Sequence, residues 1–409
     1  MGSRLGPTAF VYLMTEGLSP TVIDSQVLDT LRAAARRGIT FDLVATASPR
    51  DWLRNWKAYS SKKQALNQEL HGQTSLFPLP RINQPRVRDG LAFALAVRYR
   101  TRERLVFHCR SHMAADVANR VKRFFRGSVS VIADIRGDVR AEYTMAAAQG
   151  DSTALERLRC QEEILRAALM ESERVFVVSK ALESFLCDTA DLEPEKTHVF
   201  PCLGDGSRFR WEPELRREWR TREGLEGKTV VVFPGSTGRW HHIPATLRFL
   251  ALWMERNPTL YFLALCPDVT AMETECAKVL PPARYRILKA PHGDVPGWLN
   301  ASDAGILLRA DDPVNRVASP TKFAEYALCG LPVAISSGIG DYSERVVNES
   351  AGFLVDDDDL PGSVERAIEF LQDWSEQDRV NWGSRAAETL SKESHLDQLV
   401  RIYRSLEEA

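Results

Sequence analysis

The sequence predicts an α/β protein made of two tandem domains, each a parallel β-sheet with helices on both faces. Short apolar runs of four to seven residues, rich in Val, Ile and Phe, alternate along the chain with longer amphipathic stretches. Unbroken apolar strands separated by helices are typical of parallel sheets that are buried on both faces. The 409 residues are enough for two cores, and a polar, strand-poor, highly charged stretch over 204–226 is interpreted as the linker between them.

Twelve strands are expected, six on each side of this stretch. They cover 9–14, 41–46, 105–109, 129–134, 175–179 and 198–203, and then 229–235, 260–266, 285–290, 304–309, 332–337 and 352–355. Apolar residues at helical spacing lie between them, and the pattern after about 360 is helical throughout. The sequence therefore predicts a first Rossmann-like domain over 1–205, a second over 206–385, and a C-terminal helix over 386–409 that is a candidate to pack on the first domain.

Composition excludes several classes of protein. The chain has 53 Lys and Arg against 55 Asp and Glu, so no overall field attracts nucleic acid. Its seven cysteines are scattered and form no C-x-x-C pair, which indicates reduced thiols. No apolar stretch approaches the ~18–20 residues that span a bilayer, and the N-terminus has no signal-peptide core. A soluble cytoplasmic protein is expected.

The segment FPGSTGRW (233–240) follows a predicted strand and precedes a helix expected to begin near Ile243. Gly235 and Gly238 allow close approach of a ligand to the backbone, and free N–H groups at the helix start favour an anion. Arg239 adds a cation beside them. The alternative is an ordinary tight turn between strand and helix. The segment is neither a dehydrogenase fingerprint nor a Walker A loop.

The segment 309–341 contains Pro320 at a predicted helix start, with Ser319 as the expected cap, and Cys329-Gly330 at the helix end. Lys322 and Glu325, three residues apart, share a face of this helix. An exposed ion pair at this spacing would contribute little. The pair, however, follows a strand end, where parallel α/β sheets bind ligands.

These residues carry a resemblance to a known family. Segment 309–341 resembles the donor-site signature of GT-B glycosyltransferases, in particular family 4-like enzymes of bacterial polysaccharide assembly, with their P-T-K-x-x-E-Y helix. FPGSTGRW resembles their Gly-Ser-x-Gly-Arg/Lys-Trp loop, and ADIRGD (133–138) with Glu142 is similar to a segment of their first domain. The resemblance implies two Rossmann-like domains facing a cleft, with C-terminal helices that can cross back over the first domain.

The resemblance also implies roles for single residues. Glu325 would hold the donor's ribose hydroxyls, and Lys322 and Arg239 would neutralise the departing diphosphate, where negative charge develops. The other donor-binding candidates are Gly235, Ser236, Gly238, Arg309, Asn315, Ser319 and Thr321. One residue departs from the family pattern: Val317 stands where many members have the first Glu of an E-x7-E pair, so the identity of the transferred sugar stays open.

The first half is expected to bind the acceptor. His108 ends a predicted strand, and the family places a histidine here near the reaction centre, which makes it a catalytic candidate beside Arg239, Lys322 and Glu325. A satisfied structural histidine is the alternative. Further acceptor-side candidates are Glu16, Gly17, Arg110, Asp134 and Arg136.

Segment 81–126 is locally basic, with 12 Arg and Lys against 3 Asp and Glu, a net charge of +9. Nearby, Trp52, Trp56 and Tyr59 lie at helical spacing among further lysines and arginines. Basic residues interleaved with aromatics, including Phe124 and Phe125, fit a helix resting on an anionic membrane surface, which a lipid-linked acceptor would explain. The alternative is a solvated face whose aromatics turn into the core. No nucleic-acid motif accompanies the charge.

No metal site is expected, because the eight His are dispersed and the pair His241-His242 has no nearby Cys or second pair at ligand spacing. The Asp356–Asp359 run is interpreted as an exposed acidic loop rather than a D-x-D metal motif. The sequence thus predicts a retaining, metal-independent, hexosyltransferase-like enzyme without cofactor, acting in surface polysaccharide or glycoconjugate synthesis. The alternatives are a GT-B sugar-nucleotide epimerase or hydrolase, and a non-catalytic sugar-nucleotide-binding subunit.

Overall fold

The computed structural model describes residues 8–15, 17–18, 23–79 and 82–408, and of Asp24, Ser25 and Arg239 it describes the backbone alone. The chain divides into two compact units. Unit 1 comprises Met1–Pro201 and His395–Ala409, and unit 2 comprises Cys202–Ser394. The boundaries predicted at 205/206 and 385/386 both fall inside unit 2.

Unit 1 contains a seven-stranded sheet in the order β3-β2-β1-β4-β5-β6-β7, with every pair parallel. Its strands are β1 (Thr8–Met14), β2 (Phe41–Ala47), β3 (Thr74–Pro78), β4 (Arg104–Arg110), β5 (Ser128–Ile135), β6 (Arg174–Val177) and β7 (Thr197–Val199). A π-helical turn (Asp24–Leu28) leads into the first helix. The helices are α1 (Asp29–Arg36), α2 (Pro49–Leu70), α3 (Pro85–Arg98), α4 (His112–Val121), α5 (Val139–Ala148), α6 (Ala154–Glu171) and α7 (Lys180–Ala190).

Unit 2 contains a six-stranded parallel sheet in the order β10-β9-β8-β11-β12-β13. Its strands are β8 (Thr229–Pro234), β9 (Leu260–Leu265), β10 (Tyr285–Leu288), β11 (Ala304–Leu307), β12 (Val333–Ile335) and β13 (Gly352–Leu354). Its helices are α8 (Pro213–Glu223), α9 (Ile243–Arg256), α10 (Val269–Cys276), α11 (Val295–Ala301), α12 (Pro313–Arg316), α13 (Thr321–Leu328), α14 (Tyr342–Asn348), α15 (Leu360–Asp373) and α16 (Glu376–Leu390). The last helix of the chain is α17 (Lys392–Glu408).

All twelve predicted strands are present, and the helical tail is confirmed as α15, α16 and α17. The sequence missed β3, which lies at the edge of its sheet and has few apolar residues. In the tail, Leu399, Ile402, Tyr403 and Leu406 are buried in the core of unit 1. This burial explains why the end of α17 belongs to unit 1.

The interpretation of 204–226 as a linker is wrong, because this stretch contains α8 of unit 2. Trp219 on α8 is buried and its ring meets the edge of Trp298, with 5.0 Å between ring centroids. Two of the arginines are bonded as well: Arg216 Nη2 lies 2.6 Å and Arg220 Nη1 3.2 Å from carboxylate oxygens of Asp303. The charge density in this stretch reflects a partly buried ionic network rather than a solvated linker.

Candidate functional site

The carboxyl end of the unit 2 sheet places two predicted segments side by side. β8 and β11 are neighbours in this sheet although they are far apart in sequence. The chain leaves β8 toward one edge and β11 toward the other, so a crevice opens where the two strands end. Gly235 follows β8 directly, and Arg309 follows β11 by two residues. The helix α13, which carries Lys322, follows after the short helix α12.

Lys322 packs directly against Gly235. A Cβ built on Gly235 would collide with Lys322 Nζ and would lie 2.8 Å from Phe233 Cζ, so only glycine leaves room for this ammonium. The ammonium sits 4.3 Å from the centre of the Phe233 ring. Nζ is buried and has no hydrogen-bond partner among the described residues. A buried cation without an anion is rare in folded proteins and points to a ligand.

Lys322, Arg309 and His241 lie close enough for their charges to interact. Burial, and then the charge of Arg309, lower the pKa of Lys322 to about 7, while Glu325 opposes this shift. Burial also lowers the pKa of Arg309 to about 10, so its guanidinium stays charged at neutral pH. The pKa of His241 falls to about 2, through burial and then the charges of Lys322 and Arg309. His241 is therefore neutral. We call Lys322, Arg309 and His241 the basic cluster.

His241 is a member that the sequence analysis considered only as a metal ligand. Its Nε2 accepts a hydrogen bond from the indole of Trp240 at 3.0 Å. A neutral imidazole that accepts at Nε2 carries its proton on Nδ1. This Nδ1 is buried and has no partner among the described residues. The ring thus offers one unused N–H donor, and its edge contacts Phe233, which also contacts Lys322.

Asn315 positions Arg309. Arg309 Nη1 donates to Asn315 Oδ1 at 3.0 Å, and the Arg309 backbone N–H donates to Ser336 Oγ at 2.8 Å. Asn315 is fully buried, and its amide donates to the Ala310 carbonyl at 3.0 Å. Arg309 Nε has no partner within the described part of the chain. Asn315 and Ser336 therefore hold Arg309 in place and leave one N–H group of its guanidinium for a ligand.

The helix start differs from the prediction. Pro320, not Ser319, is the N-cap residue of α13, and no side chain caps the helix. Ser319 Oγ instead accepts from the Cys202 backbone N–H and bonds the Tyr342 hydroxyl, both at 2.9 Å. The reason is that a proline in extended conformation at the cap turns the preceding residue away from the helix axis. Thr321 is the first residue of α13.

Glu325 lies three residues after Lys322 on α13, and its side chain is buried. An exposed surface ion pair between the two residues, the alternative from the sequence, is therefore wrong. Gly330, just after the helix, has a φ of +66°. The predicted helix end at Cys329-Gly330 is confirmed.

The loop after β8 is short and turns on itself. The Gly238 N–H faces Ser236 Oγ at 3.4 Å, and a 3-10 turn over Arg239–His241 leads into α9. A Cβ on Gly238 would lie 2.8 Å from the Trp240 ring. The Arg239 side chain lies outside the described part of the structure, so its predicted convergence with Lys322 stays a prediction.

On unit 1, His108 lies within β4 rather than at its end, because the strand continues to Arg110. The ring is buried, with 4% of its surface exposed, and both nitrogens have partners. Nδ1 lies 2.7 Å from the Tyr403 hydroxyl and Nε2 3.5 Å from Asp134 Oδ2. These contacts match the alternative of a satisfied structural histidine. A role at the reaction centre stays a prediction.

The other acceptor-side candidates surround this histidine only in part. Arg136 pairs with Asp134 at 2.9 Å, and Arg110 donates to Gln26 Oε1 at 2.7 Å. Burial raises the pKa of Asp134, but the charge of Arg136, the hydrogen bond with His108 and the charge of Arg110 outweigh it and hold this pKa well below its ordinary value. Glu16 falls outside the described residues. A Cβ on Gly17 would lie 2.9 Å from the Tyr59 hydroxyl.

The predicted membrane face is only partly exposed. Trp56 and Phe124 expose 51% and 42% of their surface. Phe125 and Tyr59 are buried, so these two are wrong as surface contacts, and Trp52 packs against the core. The basic charge is partly neutralised: Arg88 and Arg120 both bind Asp116, and Lys122 binds Glu173. Of the helices in the described ranges, none combines the length and the apolar character needed to cross a bilayer.

The acidic run has structural partners. Asp357 pairs with Arg248 at 2.9 Å, and Asp359 accepts from the Gly362 N–H at the start of α15. Within the described residues, no three His, Cys, Asp or Glu side chains lie close enough to share a metal ion. Independence of metals stays a prediction.

Solved structures share this architecture over nearly the whole chain. HepE of Anabaena in complex with UDP matches with a TM-score of 0.70 and 16% identity, over 97% of this chain and 100% of that one. Sucrose-phosphate synthase of Thermosynechococcus elongatus matches with a TM-score of 0.69 and 16% identity, over 98% and 99%. WaaG, a glycosyltransferase involved in lipopolysaccharide biosynthesis, matches with a TM-score of 0.63 and 14% identity, over 96% of this chain and 99% of that one.

No protein-family model matches the sequence, and no curated protein matches it. The structural likeness shows the fold: the chain has the GT-B fold of glycosyltransferases, with two Rossmann-like domains. The predicted fold class is confirmed.

Proposed function

We propose that this chain is a retaining, metal-independent glycosyltransferase that moves a hexose from a nucleotide sugar to a glycan or lipid-linked acceptor. The observation that carries the proposal is the basic cluster of unit 2, where Lys322 Nζ and His241 Nδ1 are buried donors without partners in the described chain. A diphosphate supplies the acceptor oxygens and the negative charge that such a cluster requires. The cluster lies at the strand ends where this class of sheet binds nucleotides.

In this proposal each residue acts on the donor. Lys322 and Arg309 neutralise the diphosphate, His241 Nδ1–H donates to one of its oxygens, and Glu325 accepts from the ribose hydroxyls. These contacts strengthen as the bond from the sugar's anomeric carbon to the phosphate oxygen breaks and charge collects on the leaving group. The acceptor oxygen bonds to the same face of that carbon, and its proton passes to the departing phosphate. Buried donors that are already in place need little reorganisation during this step.

UDP-hexoses are the first donors to test. The HepE structures hold UDP and UDP-glucose, and their likeness to this chain extends over the nucleotide-binding unit. WaaG, described as acting in lipopolysaccharide biosynthesis, supports a role in surface polysaccharide or glycoconjugate synthesis. A thermal-shift screen of UDP-, GDP-, dTDP- and ADP-sugars identifies the base, and a transfer assay with the stabilising donor follows.

The Glu325→Ala variant tests the assignment. We expect transfer to fall by roughly 10²-fold, because a charge-assisted contact to the ribose is lost. Glu344→Ala, an exposed carboxylate on α14, is the matched control and should leave transfer unchanged. A folded Glu325→Ala variant with wild-type turnover would remove the ribose assignment. Donor consumed equally fast without acceptor would instead indicate the epimerase or hydrolase, and donor bound without turnover a binding subunit.

We also propose peripheral contact with an anionic membrane through the exposed aromatics of unit 1. Trp56 is exposed with Lys57 5.8 Å above its ring, and the Phe93 and Phe124 rings pack edge to face while both remain exposed. Apolar rings beside cations suit the headgroup region of a bilayer.

Co-sedimentation with phosphatidylserine vesicles should weaken in a Trp56→Ser, Phe124→Ser double variant. A Val269→Ser variant, exposed on unit 2, is the control, and equal binding by all proteins would refute the contact.

A further inference from the structure

A second cavity of unit 2 lies at the opposite end of the sheet from the basic cluster. It has a volume of about 560 Å³, within the range of small-molecule sites. Thr229, the first residue of β8, and Asp303, which directly precedes β11, are in its wall. The two strands are parallel, so their amino ends lie at the same edge of the sheet, and the cavity opens at this edge. Gly235, in contrast, follows the carboxyl end of β8. The cavity therefore does not belong to the donor site.

Several residues that line this cavity carry hydrogen-bond donors without partners in the described chain. Trp211, Trp253 and Trp374 line it, and the indole Nε1 of each is buried and unbonded within the described residues. Arg379 lines it too; its side chain is 7% exposed, and its Nη1 has no partner in the same set of residues. Indole and guanidinium groups donate and cannot accept. Four such side chains in one cavity wall favour a ligand rich in acceptor oxygens.

The charge around the cavity is positive. Arg216, Arg217, Lys228 and Arg379 line it, against the two carboxylates of Asp303 and Glu376. Asp303 is already shared, since Arg216 lies 2.6 Å, Arg220 3.2 Å and Arg379 3.6 Å from its oxygens. Lys228 lies over the Tyr261 ring at 4.1 Å, with no carboxylate contact among the described ion pairs. An anionic ligand is favoured over a neutral one.

Flat aromatic faces occupy the same wall. The Arg379 guanidinium lies 4.7 Å from the centre of the Trp211 ring, and Trp374 stacks on Phe370 with ring centroids 5.2 Å apart. Aromatic faces pack well against the C–H faces of a sugar ring, while indole and guanidinium N–H groups bond its oxygens. An inorganic anion would use the cations and leave the aromatic wall without contact.

We propose that this cavity binds an anionic carbohydrate, a hexose bearing a phosphate or a carboxylate, at a site separate from the donor site. The anionic group pairs with Arg379 and Lys228. The sugar ring packs against Trp211 and Trp374, and its oxygens accept from their indole N–H groups. The inference does not rest on the proposed transferase activity.

Isothermal titration calorimetry of the full chain tests the site with four probes: glucose 6-phosphate, glucuronate, glucose and inorganic phosphate. We expect one equivalent of glucose 6-phosphate or glucuronate to bind, and the two arms distinguish phosphate from carboxylate. Binding should quench or shift tryptophan fluorescence. No binding of either anionic sugar overturns the proposal, as does glucose or inorganic phosphate binding as tightly as the anionic sugars.

Trp374→Phe is the decisive variant, because it deletes one N–H that bonds nothing in the described chain and keeps an aromatic ring. The affinity for the anionic sugar should fall about three- to tenfold, the range for one hydrogen bond between neutral groups. Trp56→Phe, on unit 1, is the control and should bind it as the wild type does. Unchanged affinity in a Trp374→Phe, Trp211→Phe double variant would overturn the assignment. A Lys322→Met variant should keep this binding and lose UDP binding, which separates the two sites.

Discussion

At the scale of single residues, Lys322 combines burial with the absence of a bonded anion in the described chain. Its folded pKa of about 7 lies below the ordinary 10.5, so the protonated form costs free energy in the ligand-free fold. Between these two values the unfolded chain holds a proton that the folded chain lacks. Stability therefore rises with pH across this window, and the full cost is present below about pH 7. A cost of this kind is typical of functional sites.

Replacing this ammonium should stabilise the empty protein. We expect Lys322→Met to raise the Tm at pH 6.5. The gain in Tm should shrink toward pH 10, because Lys322 is already unprotonated in the folded wild type at that pH. UDP should raise the Tm of the wild type and leave that of the variant unchanged. Differential scanning fluorimetry measures both effects, with Lys289→Met, an exposed lysine of unit 2, as the control. A lower Tm for Lys322→Met at pH 6.5 would contradict this account of the site.

The same pKa predicts how UDP affinity depends on pH. A bound diphosphate favours the charged ammonium, so binding above about pH 7 must draw a proton from solution. The affinity should fall by up to about tenfold per pH unit from pH 7.5 to pH 9. Calorimetry at pH 8 in two buffers of different ionisation enthalpy measures the proton uptake. No uptake by wild-type protein that binds UDP would place Lys322 away from the diphosphate.

The sequence could identify some residues of this site and not others. Lys322 and Glu325 were found because a helix start after a strand end is visible in the residue order. The role of Asn315 in holding Arg309 could not be predicted, since a single buried side-chain amide produces no periodic pattern in the sequence. His241 was considered only as a metal ligand, because its free Nδ1 depends on the bond that Trp240 makes to the other nitrogen.

At the scale of elements, continuous apolar runs predicted strands well because parallel sheets are buried on both faces. β3 was not predicted because it is an edge strand, which pairs on one side only, and because it carries just two large apolar residues, Leu76 and Phe77. α8 was misread for the opposite reason. Its arginines look solvated in the sequence, yet Arg216 and Arg220 bind Asp303 and three backbone carbonyls of α11 and the turn after it. Partners far along the chain cannot be seen from local composition.

The turn after β8 and the start of α13 act together, and Gly235→Ala tests their contact. The added methyl would overlap Lys322 Nζ and lie 2.8 Å from Phe233 Cζ, so the ammonium is displaced and the Phe233 ring must shift; a melting scan checks that the variant is folded. We expect UDP affinity to fall tenfold or more, as measured by calorimetry. Gly293→Ala is the control, because a Cβ there has no described atom within 4 Å. Equal UDP affinity in both variants would show that the contact is not needed.

At the scale of the whole molecule, two parallel sheets and a helical tail follow from the alternation of strands and helices in the sequence. The packing of the C-terminal tail on unit 1 does not follow from this alternation. Leu399, Ile402 and Leu406 form an ordinary amphipathic stripe that would fit either core. The distinguishing residue is Tyr403, whose ring packs on Phe41 with centroids 5.1 Å apart and whose hydroxyl lies 2.7 Å from His108 Nδ1. A pair 295 residues apart in sequence leaves no local trace.

The contact between Tyr403 and His108 predicts which part of the protein a conservative substitution will destabilise. Tyr403→Phe keeps the ring and removes the hydroxyl, so His108 Nδ1 is left buried without this partner, at a cost of about 1–3 kcal/mol. Because the ring lies in the core of unit 1, we expect faster amide exchange in peptides from β1, β4 and β5. Peptides from β8 and β9 should keep wild-type protection, since those strands belong to the separate cores of unit 2. Hydrogen exchange with mass spectrometry measures both sets, with Tyr285→Phe, whose hydroxyl bonds an exposed Glu273, as the control. Equal loss of protection in both units, or none in unit 1, would show that the tail does not stabilise unit 1 through this bond.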